Sequence, residues 1–240
     1  MKRFLSIDWD FFIDATADQR ALLFPDGGTE EFSTNLRKFI WDSLYRNPEL
    51  PKIEVIPEYS ALLKLCKKFN GDCMVADSHR HAYNFIMDNT YPDEEFEVYN
   101  IDFHHDLYNY RTGENRVNCG NWGTILQEDR PNLKYFWVCR DDSDPMTIGD
   151  VEIEVPRLSW SEFITSSRQI ASMFDYLYLC RSALWSPPHL DDKFVKVAKV
   201  LMKNCYTKYE QGIDVPREYE IPESLEVLFK AVSELKRQSL

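Results

Sequence analysis

The stretch "FEVYNIDFHHDLYNY", residues 96–110, begins as an apolar strand and ends in carboxylates and imidazoles. Its first part, "FEVYNIDF" (96–103), has the short β-rich run expected of a buried strand. Asp102, His104, His105 and Asp106 then fall within five residues. The pattern recurs twice. "RFLSIDWDFF" (3–12) carries Asp8 and Asp10 late in its run, and "GDCMVADS" (71–78) leads into Asp77, His79 and His81. Ligands of open α/β sheets gather beyond the carboxyl ends of the strands. Three strand ends that aim ligating side chains at one edge are the strongest signal in this chain.

Working outward, "LKYFWVC" (133–139) and "YLYLCRS" (176–182) read as further strands, and the more polar "VEIEV" (151–155) as a sheet edge. Helical spacing of apolar residues predicts helices over 29–46, 57–69, 79–89 and 193–206. Residues 207–222 read as loop-rich, leading to a last helix near 223–237. Strands alternating with helices predict a three-layer α/β/α architecture around a mostly parallel sheet. A length of 240 residues fits a single domain, 1–240.

Composition narrows the function classes. A net charge of −12 and the lack of a basic block argue against nucleic acid or anionic membranes as partners. Six scattered cysteines without a C-x-x-C pair point to reduced thiols rather than a zinc ribbon. Asp8 interrupts the N-terminal run before a signal peptide could form, and no 18-residue apolar stretch occurs. The expectation is a cytoplasmic protein.

Strand alternation would set Asp8 and Asp10 on one face, and Asp102, His104 and Asp106 on one side of an extended run. Carboxylates brought together in an apolar setting need neutralisation. The nearest cations in sequence are Arg3 and Arg111. Divalent ions are the simpler answer, and a carboxylate-rich set with imidazoles tilts toward manganese. A D-x-D closing an N-terminal strand also fits haloacid-dehalogenase-like phosphatases. Those place Thr or Val where Phe12 stands, and they have no use for D-x-H-x-D.

At these residues the chain resembles the ureohydrolase superfamily of arginase and agmatinase. Its D-x-H-x-D is matched by Asp102, His104 and Asp106, its S-x-D-x-D by "SIDWD" (Asp8, Asp10), and its post-strand histidine by His79 or His81 in "ADSHRHAYNF". "NCGNWG" (118–123) resembles the family's Ser-Gly-Asn substrate turn, with Cys119, Gly120 and Asn121 in place, and Asn109 stands at a further substrate position. The texture of "HHDLYNY", "CGNWG" and "YLCRSALWSPP" is similar to a branch that includes bacterial peptide arginases. The likeness covers roughly residues 5–126, with a weaker match at 176–190. The S-x-D-x-D strand precedes the D-x-H-x-D strand here, so the motif order is permuted.

The resemblance implies an arginase-like fold and two Mn2+ ions on Asp8, Asp10, His79, Asp102, His104 and Asp106. These ions would activate a water against a guanidino carbon, with Asp106 taking its proton. The histidine just beyond the family's substrate turn is replaced by Trp122 and Gly123, so the acid–base role falls to His81, His105 or His189. Asn109, Cys119, Asn121 and His189 are the expected substrate contacts; Trp185 could share the pocket rim. His105 could equally point away from His104, and Gly120 could serve only a tight turn with a positive φ. Asp141 and Asp142 read as a surface turn, and Phe11, Phe12, Trp41 and Trp137 as core. The expected function is conversion of arginine to ornithine and urea, in a peptide or a small guanidino substrate. The alternatives are a metal-dependent amidohydrolase or deacetylase on the same scaffold, and a non-catalytic metal-binding protein.

Overall fold

The computed structural model describes residues 1–25, 34–109, 116–143, 147–148, 151–152, 155–165 and 170–220. The helix expected near 223–237, the start of the 29–46 helix and Arg111 lie outside the described residues. In chain order the strands are β1 (Lys2–Asp8), β2 (Asp72–Ala76), β3 (Phe96–Ile101), β4 (Leu133–Cys139), β5 (Thr147–Ile148), β6 (Val151–Glu152), β7 (Arg157–Ser159), β8 (Tyr176–Cys180) and β9 (Thr207–Tyr209). The helices are α1 (Ala17–Leu23), α2 (Thr34–Leu44), α3 (Tyr59–Lys68), α4 (His81–Asp88), α5 (Trp122–Asp129), α6 (Trp160–Thr165), α7 (Ile170–Met173) and α8 (Asp191–Asn204). Seven strands form one parallel sheet in the order β7-β4-β3-β1-β8-β2-β9.

Side-chain alternation divides this sheet into two apolar faces. Phe4, Ala76, Phe96, Val98, Tyr135, Trp137 and Tyr178 face one way and pack with Ala82, Phe85 and Ile86 of α4 and with Trp122 and Leu126 of α5. Leu5, Ile7, Cys73, Val75, Ile101, Val138, Leu177 and Leu179 face the other way. They meet Leu62, Leu65 and Cys66 of α3, Phe194, Val197, Ala198 and Leu201 of α8, and Phe163 and Ile170 of α6 and α7. The architecture is therefore three-layer α/β/α. Phe11, Phe12, Trp41 and Trp137 are fully or almost fully buried.

Three local readings change. Of the expected 151–155 edge, Val151–Glu152 form β6, which pairs antiparallel with β5 in a separate ribbon, and β7 takes the edge of the central sheet. The 207–222 segment contains β9, which lies parallel to β2 at the other edge. The first strand stops at Asp8, and Trp9–Phe12 form a 3₁₀ turn. None of the six cysteines is in a disulfide. No helix among the described residues is long and apolar enough to cross a membrane.

Candidate metal centre

Register builds the floor of the site. β1 and β3 are neighbours, with Ser6 opposite Asn100 and Ile7 opposite Ile101. The next pair along the two strands, Asp8 and Asp102, therefore lies side by side at their carboxyl ends. Both aspartates then turn the chain in the same way. Asp8 Oδ1 accepts the N–H of Asp10 at 2.9 Å, and Asp102 Oδ1 accepts the N–H of His104 at 2.9 Å. Such an aspartate-to-i+2 bond mimics a backbone turn and ends the strand. Simple alternation thus fails beyond Asp8 and Asp102. The residues two positions on form a second level instead, where Asp10 Oδ2 meets His104 Nδ1 at 3.1 Å.

His79, from the loop between β2 and α4, completes the lower level. Its Nδ1 lies 3.1 Å from Asp8 Oδ2, 3.1 Å from Asp102 Oδ2 and 2.9 Å from Asp106 Oδ2. Its Nε2 is 2.7 Å from Ser6 Oγ, and its ring stacks on Tyr178. Of the two histidines in "SHRH", His79 is the one brought to the carboxylates. His81 opens α4 and pairs through Nε2 with Glu210 at 3.2 Å.

Two groups of potential ligands result, Asp8–His79–Asp102 and Asp10–Asp102–His104, each with its ligand atoms within 4.8 Å of one another. Asp102 belongs to both. Asp106 belongs to neither; it reaches His79 from a backbone with φ 56° and accepts Trp122 Nε1–H at 2.5 Å. The Asp106 carbonyl also accepts the N–H of Gly123 at 3.1 Å, and a Cβ at Gly123 would crowd that carbonyl and Leu107.

Burial dominates the electrostatics. It pushes the Asp8 carboxyl up to about 7, helped by the charges of Asp10 and Asp102, and holds Asp102 well above its ordinary range beside Asp106 and Asp10. Burial would lower the His79 imidazole, but Asp106, Asp102 and Asp8 outweigh it and raise its pKa well above normal. Asp10 moves the other way. Burial would raise it, yet His104 and Arg20 bring it to about 2.

Arg20 was not expected from sequence. Its guanidinium reaches Asp10 Oδ2 at 3.4 Å, donates to the carbonyls of Asp10, Ile13 and Ala15, and stacks over Phe103. The capping box of Thr16 and Gln19, which starts α1, fixes the helix that presents it. Arg140 supports the same 3₁₀ turn by donating to the Phe11 and Ile13 carbonyls, and is itself held by Asp142. Glu210 was likewise not expected, and Trp122 only as the replacement for the family's histidine, not as the partner of Asp106. For Arg20 the sequence offers Thr16 and Gln19, a capping signature that starts the helix carrying it.

The remaining candidates occupy varied settings. His105 is fully buried, accepts the Leu107 N–H at Nδ1, and packs on Tyr108 and Trp137. His189 has both ring nitrogens engaged, by the Tyr45 hydroxyl at 2.6 Å and the Ile53 carbonyl at 2.9 Å. Asn121 is buried and ties the 116–121 turn, accepting from Asn118 N–H and donating to the Arg116 carbonyl. Gly120 is not among the positive-φ residues, so its presence has another cause than that conformation. Cys119 is half-buried and Asn109 exposed. No family model, curated protein or solved structure matches this chain.

Proposed function

We propose that this chain is a hydrolase that holds two divalent cations, manganese foremost, and breaks a guanidino C–N bond. Its substrate in this reading is the arginine side chain of a peptide, released as urea to leave ornithine. The observation that carries the reading is the divergence of the two Asp102 oxygens. Oδ2 lies 3.1 Å from His79 and Oδ1 lies 3.8 Å from His104, one toward each ligand group.

The donor spacing fits such ions. Neighbouring donors of a six-coordinate ion with bonds near 2.1 Å sit about 3.0 Å apart. His79 Nδ1 lies 2.9–3.1 Å from three carboxylate oxygens. Asp8, His79 and Asp102 would hold one ion, with Asp106 beside them, and Asp10, Asp102 and His104 the other. Mixed carboxylate and imidazole donors favour manganese. Bound there, the ions supply Lewis acidity and bring the pKa of a water toward neutrality.

The chain supplies the proton handling. Trp122 pins Asp106 at Oδ2, so we assign Oδ1 to orient the attacking water and hold its proton. Asp106 is then assigned to pass that proton to the leaving amine, since His81 pairs with Glu210 at 3.2 Å rather than with the carboxylate cluster. Asn109 and Cys119 are assigned as substrate contacts, and Asn121 as the residue that holds the turn carrying Cys119. The resemblance to ureohydrolases supports the choice of a guanidino carbon.

The test is to load the chain with manganese, add an arginine-containing peptide, and measure urea together with the ornithine residue by mass spectrometry. Asp106→Asn should lower turnover by roughly 100-fold or more while metal content and fold survive. Two bound ions without urea would leave the amidohydrolase or non-catalytic reading. One bound magnesium with phosphatase activity would replace the proposal altogether.

A further inference from the structure

Trp185 is a large aromatic side chain that neither apolar core accounts for. It is half-buried and packs with neither face of the sheet, yet its ring centroid lies 4.8 Å from that of His104. His104 is the most exposed of the six candidate ligands, with 16% of its side chain open against 5% or less for the others. A molecule approaching the cluster from solvent therefore meets the His104 side first, where Trp185 stands.

The loop that carries Trp185 is held from several directions. Ser182 adopts φ 53°, an uncommon conformation for a residue with a Cβ. The N–H of Trp185 donates to the Ser182 carbonyl at 2.8 Å, and Ser186 Oγ donates to the carbonyls of Arg181 and Ser182. From α2, Trp41 Nε1–H donates to the Ala183 carbonyl at 2.9 Å. Arg217 grips the same Ala183 carbonyl and the Ser186 carbonyl while paired with buried Asp191. Pro187 and Pro188 stiffen the exit from the loop toward α8. A fully buried aromatic would be fixed by its core packing alone; this one is fixed by backbone anchors with part of its surface left to solvent.

We infer that Trp185 is the specificity-determining wall of the site, presenting its indole face to a planar cation as that cation enters beside His104. This rests on the guanidino reading above and deepens it. Indole is the strongest aromatic partner for a cation, and a guanidinium also stacks flat on it. A neutral ureido group of the same shape lacks the charge. The wall would thus favour arginine over citrulline by electrostatics rather than by size.

The test uses the full chain loaded with manganese and two peptides that differ only in arginine or citrulline. Binding is measured by calorimetry and turnover by urea release. Trp185→Leu should weaken the arginine peptide roughly tenfold and the citrulline peptide by less than about twofold, with Trp185→Phe within about threefold of wild type. KM should rise much more than kcat falls, and manganese content should stay unchanged. Should Trp185→Leu fail to fold, the fluorescence difference between wild type and Trp185→Phe isolates the Trp185 signal. That signal should respond to the arginine peptide more than to the citrulline peptide. Equal weakening of both peptides, unchanged arginine affinity, or a fluorescence response indifferent to charge would overturn the inference. Wild type that prefers the arginine peptide through Trp185 yet releases no urea would refute the hydrolysis and leave the wall standing. Urea release with unchanged KM in Trp185→Leu would do the reverse.

Discussion

The two ligand groups share Asp102 but solve the same electrostatic problem differently. Asp8 and Asp102 sit at the strand ends and His79 in the β2–α4 loop, and no Lys or Arg among the described residues pairs with them. Burial and mutual repulsion keep Asp8 up to about 7 and Asp102 higher than usual, so in the metal-free chain protons do the neutralising. One level up, Asp10 is pulled down to about 2, since Arg20 and His104 outweigh burial there. The lower group thus has no Lys or Arg partner among the described residues to offset its charge, whereas Asp10 in the upper group has Arg20. A buried acidic cluster can thus be half pre-neutralised and half dependent on what it binds.

The comparison breaks most readily at Asp102. Asp102→Asn removes the carboxylate common to both groups and is expected to weaken both manganese sites by more than about 100-fold. Asp10→Asn should weaken chiefly the upper site. Titration followed by electron paramagnetic resonance would separate them, and one undisturbed tight site in Asp102→Asn would end the idea of a shared ligand. Next in size is Arg20→Met, which strands Asp10 without its buried cation. In chelator it should cost about 3–5 kcal/mol of stability. Added manganese should recover a large part, because a cation again faces Asp10. Denaturant melts showing equal losses with and without metal would mean that Arg20 serves packing rather than charge.

The smallest effect sharpens the contrast through pH. For Asp8 the folded pKa of about 7 lies above the unfolded value near 3.8, so the native chain binds the extra proton between them. Stability from this group is present at low pH and lost as pH rises through that window. His79, also raised, contributes in the same direction, its share being lost as pH climbs through the folded value. The metal-free chain should thus have a lower melting temperature at pH 7.5 than at pH 5, with His189, whose pKa burial lowers, offsetting part of the difference. Manganese should stabilise it more at pH 7.5, where fewer protons must be displaced. A melting temperature that rises across this range in chelator would contradict the picture of a proton-filled lower group.

Much of this centre was legible because strand runs and ligand-type residues are local features. The apolar cores of β1 to β4 and β8, the parallel sheet between helices, and the gathering of Asp8, Asp102 and one histidine of "SHRH" beyond strand ends could be read from residues 3–12, 71–81, 96–106, 133–139 and 176–182. Boundaries were less legible, since the aspartates that bind the next-but-one N–H stop the strands themselves. β9 and Glu210 were hidden in a stretch whose composition reads as loop, and three residues at a sheet edge carry little periodicity.

The sequence by itself determined the layers, the strand cores and the kinds of donor atoms, because side-chain period and residue chemistry act over a few positions. Only the tertiary structure decided which donors meet. The β1–β3 register set Asp8 beside Asp102, and the β2–α4 loop chose His79 over His81. Packing carried Arg20 to Asp10, Trp122 to Asp106 and Trp185 to His104. Those partners lie between 10 and 81 positions apart in sequence, and no short-range pattern reports contacts that form only when strands and loops are assembled.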